Sequence, residues 1–264
     1  MKEIGADVSL PLLEVRQLDV GIGEKIFCRK LDFKLEYGER LAILGRNGAG
    51  KSTLLSVLAG LREPQAGTVL INGVAYHSLG VRRSALIRGW LPQARADAFA
   101  STVLETALVG RHPHLERWGW ESAEDLIIVR MALAAVDIAA LEQRDVQTLS
   151  GGERQRLAIA ALLAQAPLLY LLDEPIAHLD LHHQIAMLKL FSDAVHGQKA
   201  SVVMVLHEPA LAWRFSDRVL LIHGDGRVDI GRTREMLTAE RLSELYQYPL
   251  KTLESDGLLC IVPC

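Results

Sequence analysis

The chain is short of cysteine, of net charge and of long apolar runs, and each shortage narrows the function. Three cysteines in 264 residues, Cys28, Cys260 and Cys264, make an odd count with no metal spacing, which sets aside a disulfide framework and fits a reducing cytosol. Lys and Arg total 29 against 32 Asp and Glu, a net charge of −3. Nothing here resembles the strongly basic face of a nucleic-acid binder. No apolar run reaches the roughly 18 residues of a membrane helix. The stretch Met1-Lys2-Glu3-Ile4-Gly5 carries no signal-peptide pattern, and there is no internal repeat or low-complexity tract. The expectation is a protein soluble on its own. What the chain does have is hydrophobic residues, 50% of the total, enough for one large domain or two small ones.

The stretch Gly45-Arg46-Asn47-Gly48-Ala49-Gly50-Lys51-Ser52-Thr53 matches the phosphate-binding pattern G-x-x-x-x-G-K-[ST]. An apolar strand-like run, Leu41 to Leu44, precedes it, and a helix-like segment, Thr53 to Ala59, follows. Strand, glycine loop and helix supply what the chemistry needs. The glycines let backbone N–H groups turn toward an anion, and the helix N-terminus adds unpaired donors and partial positive charge. Lys51 is placed to reach the outer phosphates and Ser52 to ligate Mg²⁺.

Elsewhere the pattern alternates between strand and helix. Leu12 to Val20 and Leu31 to Leu35 read as strands, and Thr68 to Ile71, Asn72-Gly73 and Val74 to Tyr76 as a hairpin with a type I′ turn. Ser101 to Leu141 is mostly helical, with Val103, Ala107 and Leu108 on one face. A second helix carries Leu126, Ile127, Met131, Leu133 and Ala134, and Gly110 to His114 with Trp118-Gly119-Trp120 reads as a loop between the two. Ser150 and Glu153 have capping-box spacing at the start of a helix from Arg154 to Ala164. Capping does not account for Gly151-Gly152, which lower helix propensity but let a ligand approach the backbone.

Leu168 to Leu172 is continuously apolar, as in a strand buried on both faces, and ends in Asp173-Glu174-Pro175. Acids at the C-terminal end of such a strand lie where α/β sheets place ligands. Asp173 suits Mg²⁺ and Glu174 suits a water to be activated; acids also favour a helix start for capping reasons alone. A helix from about Leu181 to Val195 follows, then a buried strand, Ser201 to Leu206, that ends at His207. A second hairpin signal, Arg218 to Ile222 and Arg227 to Ile230 about Gly224-Asp225-Gly226, comes next. Short helices near Thr233 to Leu237 and Ala239 to Tyr246 lead to a last strand, Leu258 to Val262.

The phosphate loop, Gln93, Leu149-Ser150-Gly151-Gly152-Glu153, the Leu168 to Glu174 strand and His207 occur in one order. This set, over nearly the whole chain, resembles the nucleotide-binding subunit of ATP-binding cassette (ABC) transporters. The resemblance implies an α/β fold: a P-loop NTPase (RecA-like) core with an N-terminal antiparallel β subdomain and an inserted α-helical subdomain. The divisions expected are 1–93, 94–152 and 153–264. It implies ATP and Mg²⁺ as cofactors, with Gly45, Arg46, Asn47, Gly48, Ala49, Gly50, Lys51, Ser52 and Thr53 on the nucleotide. It implies Mg²⁺ at Ser52, Gln93 and Asp173, and Glu174 as general base with His207, Gln93 and Lys51 in catalysis. Ser150, Gly151 and Gly152, with Asp180 in the D-loop, then serve ATP held by a second, head-to-tail copy. The family usually presents an aromatic residue near Ile22 for adenine; here Phe27 is the nearest ring, and what takes the base is left open. Ala177 stands where Ser is usual, and Glu208-Pro209 where Asp-Leu is common.

Within the family, Trp90-Leu91-Pro92-Gln93, Val109 to His114 and Leu242 to Pro249 look like importers of iron chelates, haem and cobalamin. That implies a motor at the cytoplasmic face of the inner membrane, held by a many-helix permease touching roughly Gln93 to Arg111. A periplasmic substrate-binding protein would act at one remove, and no nucleic acid. The alternatives are a soluble ABC ATPase for iron–sulfur assembly and an exporter cassette. His112 with His114 lack an evident third metal ligand and read as a solvated loop pair. His182-His183 reads as helix surface, and Trp118 and Trp120 as packing or permease contacts.

Overall fold

The structure, a computed structural model, describes residues 10–93, 100–116, 119–198, 200–255 and 257–264. Strands β1 (Leu13–Ile22) and β2 (Lys25–Leu35) pair antiparallel, with Leu13 opposite Leu35 and Val15 opposite Phe33. Strand alternation buries Leu13, Val15, Leu31, Phe33 and Leu35. Strand β3 (Arg40–Gly45) leads through the glycine loop into helix α1 (Lys51–Leu58). Strands β4 (Ala66–Ile71) and β5 (Val74–Ala75) complete a four-stranded sheet of order β2-β1-β4-β5. Asn72 and Gly73, at φ 49° and 73°, form the expected turn. Tyr76 departs from the strand expected there and opens helix α2 (Tyr76–Leu79), and its hydroxyl donates to the Leu58 carbonyl at the end of α1, 2.9 Å away.

Helix α3 (Val81–Ile87) and strand β6 (Arg88–Leu91) follow, neither evident in the sequence pattern. The helical region holds α4 (Val103–Leu108), a 3₁₀ turn at Val109–His114, α5 (Ala123–Ala135) and α6 (Gly151–Gln165). Then come β7 (Leu169–Asp173), α7 (Leu181–Gln198), β8 (Ser201–Val205), α8 (Pro209–Phe215), β9 (Arg218–Ile222) and β10 (Val228–Arg232). Helices α9 (Thr233–Met236) and α10 (Ala239–Tyr246) precede a closing hairpin, β11 (Leu250–Ser255) and β12 (Leu258–Pro263).

The central sheet has six strands in the order β10-β9-β3-β8-β7-β6, all parallel except β10. Period-2 alternation divides its side chains between two cores. Leu41, Ile43, Leu169, Leu171, Val203 and Val205 face α1 and the antiparallel sheet. Ala42, Leu44, Tyr170, Leu172, Val202 and Met204 face α6, α7 and α8. A strand covered on both sides must be apolar at every position, which is why β3, β7 and β8 read as unbroken runs. The parallel register sets Gly45, Leu91, Asp173 and Val205 at one edge, where the loops after β3, β6, β7 and β8 emerge together.

The Gly110 to His114 stretch, expected as a loop, is the 3₁₀ turn, and tight packing explains it. A Cβ on Gly110 would lie 2.1 Å from the Ala161 carbonyl oxygen. Arg111 turns inward, donating to Asp125 at 2.7 Å and to the Ala164 carbonyl at 2.8 Å. That pair fixes the rotation of α5, which buries Asp125, Val129, Ala132 and Leu133 and leaves Ile127 and Met131 exposed. Among the described residues no helix is long and apolar enough to cross a membrane.

Candidate nucleotide site

The loop from Gly45 to Lys51 can curl because Gly48 and Gly50 adopt φ 75° and 97°. Gly50 is required on a second count: a Cβ there would lie 2.3 Å from Cγ of Phe27, packed directly beneath. With α1 starting at Lys51, the loop's amides and the first turn of the helix present donors to one cavity of about 350 Å³. Lys51, Ser52, Thr53, Gln93, Glu174 and His207 line it.

Lys51 is buried and its ammonium donates to the carbonyls of Gly45 at 2.8 Å and Arg46 at 3.1 Å. Burial lowers its pKa, while the charges of Glu174 and Asp173 work the other way. The Ser52 hydroxyl donates to Asp173 Oδ1 at 3.0 Å. Burial raises the Asp173 pKa against that hydrogen bond, and the neighbouring Glu174 charge raises it further. Glu174 follows β7 at φ 51°, and Oε1 lies 2.7 Å from Nε2 of His207, at the exit of β8. Three strand ends thus bring a cation, a hydroxyl–carboxylate pair and a carboxylate–imidazole pair to one cavity, which suits phosphate binding and the deprotonation of a water. The Ser52 hydroxyl beside the buried Asp173 carboxylate also offers hard oxygens that fit a small divalent cation.

The remaining sequence-derived positions lie elsewhere. Ser150 caps α6, accepting from the Glu153 amide at 3.3 Å, while Glu153 accepts from the Ser150 amide at 2.7 Å. Gly151 and Gly152 form its first turn, next to His178, and none of the three lines the cavity. Asp180 caps α7, accepting from the His183 amide at 2.9 Å with the His183 ring beside it. Within the phosphate loop Ala49 is buried, Asn47 is at the rim, and the Arg46 guanidinium reaches away to Gln247. Gln247 is a contact that sequence reading missed, since 201 positions separate the partners.

Phe27 is only 6% exposed, its ring under Gly50, whereas Ile22 is 52% exposed. His114 is engaged with the Gln165 carbonyl at 2.8 Å, and no cluster of three His, Cys, Asp or Glu that could hold a metal occurs among the described residues. Trp120 is 89% exposed, while Trp118 lies outside the described residues. So do 94–99 of the segment expected to meet a permease; Arg111 at its far end is buried.

A family model described as ABC transporter matches residues 28–177. The chain is 38% identical over 254 residues to the cobalamin import ATP-binding protein of Halobacterium salinarum, covering 95% of this chain and 63% of that one. This chain therefore spans less than two thirds of that relative's length. The hemin import ATP-binding protein of Burkholderia ambifaria is 37% identical over 265 residues, covering 93% of this chain and 97% of that protein. Among solved structures, a metal-chelate type ABC transporter in an inward-facing conformation superposes with a TM-score of 0.82 at 30% identity, over 96% of this chain and 98% of the other.

Proposed function

Because this chain belongs to the ABC transporter family, we propose that it is the ATP-hydrolysing motor of an importer for a metal chelate of the haem, iron-siderophore or cobalamin class. One observation carries the catalytic part: the Glu174–His207 pair, 2.7 Å apart, shares a single cavity with the phosphate loop's Lys51 and with Ser52, which donates to Asp173. The names of the relatives, for cobalamin and hemin import, and the metal-chelate transporter with the same fold support the cargo class.

In this reading the loop amides and Lys51 hold the phosphates of ATP, releasing the lysine from its two carbonyls. Ser52, Asp173 and the Gln93 side chain hold Mg²⁺, which when bound supplies positive charge to the phosphate oxygens. Glu174 takes the proton of the attacking water, and His207, already beside it, is placed to face the terminal phosphate. Such chemistry is chiefly positioning and electrostatics.

Ser150, Gly151 and Gly152 lie outside this cavity yet expose a helix N-terminus, a ready anion site. They therefore complete the site of a second copy facing head to tail, with Asp180 at the same seam. Loss of the terminal phosphate contacts reopens the pair and delivers the stroke to a permease. The permease meets the segment from Gln93 toward Arg111, and it holds the motor at the cytoplasmic face of the membrane.

Mild detergent extraction of the tagged chain, followed by mass spectrometry of its companions, tests this. A many-helix membrane protein in equal amount is expected. Soluble companions alone would overturn the importer role and leave an ATPase of another assignment.

A further inference from the structure

We propose that Gln247, at the far end of the chain, is a positioning residue for the phosphate loop. The inference rests on the loop holding nucleotide. Arg46, the first residue after β3, is joined at both ends. Its carbonyl accepts from the Lys51 ammonium at 3.1 Å, and its guanidinium Nη1 donates to Oε1 of Gln247. The peptide that carries Arg46 therefore sits between the catalytic lysine and a fixed acceptor.

The backbone that carries Gln247 is held firmly, which presents its side chain to Arg46. It ends α10 in the left-handed conformation, at φ 55° and ψ 38°. Its amide closes on the Glu244 carbonyl at 3.3 Å, and the Tyr248 amide on that of Ser243 at 3.1 Å, the double closure that locks a helix end. Helix α10 is seated by the buried Leu242 and Leu245. Its Glu244 also pairs with Arg227 at 2.6 Å. Arg227 in turn follows the β9–β10 turn, where a side chain on Gly224 would meet Ala49 Cα of the phosphate loop at 3.3 Å. Two C-terminal elements, tied to each other, thus brace the loop: the turn against Ala49, and α10 through Arg46.

Both Arg46 and Gln247 are exposed. A single exposed polar contact adds little to global stability, so its consequence is local. It restricts the peptide between Gly45 and Asn47 before phosphate arrives, and preordering of this kind raises affinity by lowering the ordering cost of binding.

The test uses the full chain and its Gln247→Leu and Gln247→Glu variants, titrated with ATP and Mg²⁺ by calorimetry and assayed for turnover. Leucine keeps the length and removes the acceptor; glutamate keeps an acceptor for the guanidinium. Loss of this exposed contact, worth up to about 1 kcal/mol, should raise Kd and KM for ATP about three- to fivefold in Gln247→Leu. kcat and the melting midpoint should stay at the wild-type values, and Gln247→Glu should return Kd to within about twofold of wild type. A Gln247→Leu affinity equal to wild type would overturn the proposal. So would equal loss in both variants, which would place the effect in the helix end rather than in the Arg46 contact. A wild-type chain that binds no ATP would instead remove the nucleotide reading, and this inference with it.

Discussion

Replacing Lys51 with methionine separates binding from folding. In the free protein the ammonium is buried and satisfied by two carbonyls, those of Gly45 and Arg46. A unit phosphate charge about 4 Å away, at the effective dielectric of about 20 suited to such sites, attracts it by about 4 kcal/mol. To reach it the lysine gives up two neutral-acceptor hydrogen bonds, worth about 1 kcal/mol each net. The difference is about 2 kcal/mol, or roughly 30-fold in ATP affinity. Stability should move differently. A lysine whose pKa is lowered by burial is disfavoured as a cation in the folded chain, so an uncharged side chain of similar length should melt at the same temperature or higher. Calorimetric titration with ATP and Mg²⁺, beside a melting scan without nucleotide, reads both. Unchanged affinity would refute the phosphate role of Lys51. A melting midpoint several degrees lower would refute the account of its burial.

Glu174→Gln should lower ATP turnover at least about 100-fold, the low end of what a general base contributes, while ATP still binds and an ATP-bound dimer accumulates on size exclusion. Normal steady-state phosphate release by this variant would remove Glu174 from the base role. Asp125→Ala should cost about 3 kcal/mol of stability, because it leaves the Arg111 guanidinium buried without its carboxylate. The Asp125 carboxyl is held down to about 2, by the Ser122 amide first and the Arg111 side chain next. Its folded pKa lies below the ordinary 3.8, so its contribution is complete above about pH 4 and lost as pH falls through about 2. The gap in melting midpoint between wild type and Asp125→Ala should therefore stay constant from about pH 7 to pH 5 and narrow below about pH 4; a gap independent of pH down to about 2 would contradict this.

What could be read from residue order alone was whatever is local. The phosphate loop, the apolar β3, β7 and β8, the Ser150 cap of α6 and the Asn72-Gly73 turn each depend on residues within a few positions of one another. Backbone conformation, capping and two-face burial are set at that range. Their order along the chain carried the family and the α/β fold, and with them the ATPase reading proposed above.

Contacts between distant positions were decided only by the fold. The strand β6 is too short to announce itself and forms because β7 supplies its hydrogen-bond partners. Arg111 reads from the sequence as part of a loop at the end of the permease-facing segment; the fold buries it against Asp125 and the Ala164 carbonyl. Glu174 and His207 end different strands, 33 positions apart, and meet at 2.7 Å because β7 and β8 are parallel neighbours in register. Arg46 and Gln247 stand 201 positions apart. No pattern in either segment marks that pairing, since a hydrogen bond between side chains depends on where the packed cores bring two surfaces together. The sequence by itself named the groups proposed for the chemistry; the tertiary structure decided which of them touch, and brought Gln247 against the phosphate loop's Arg46.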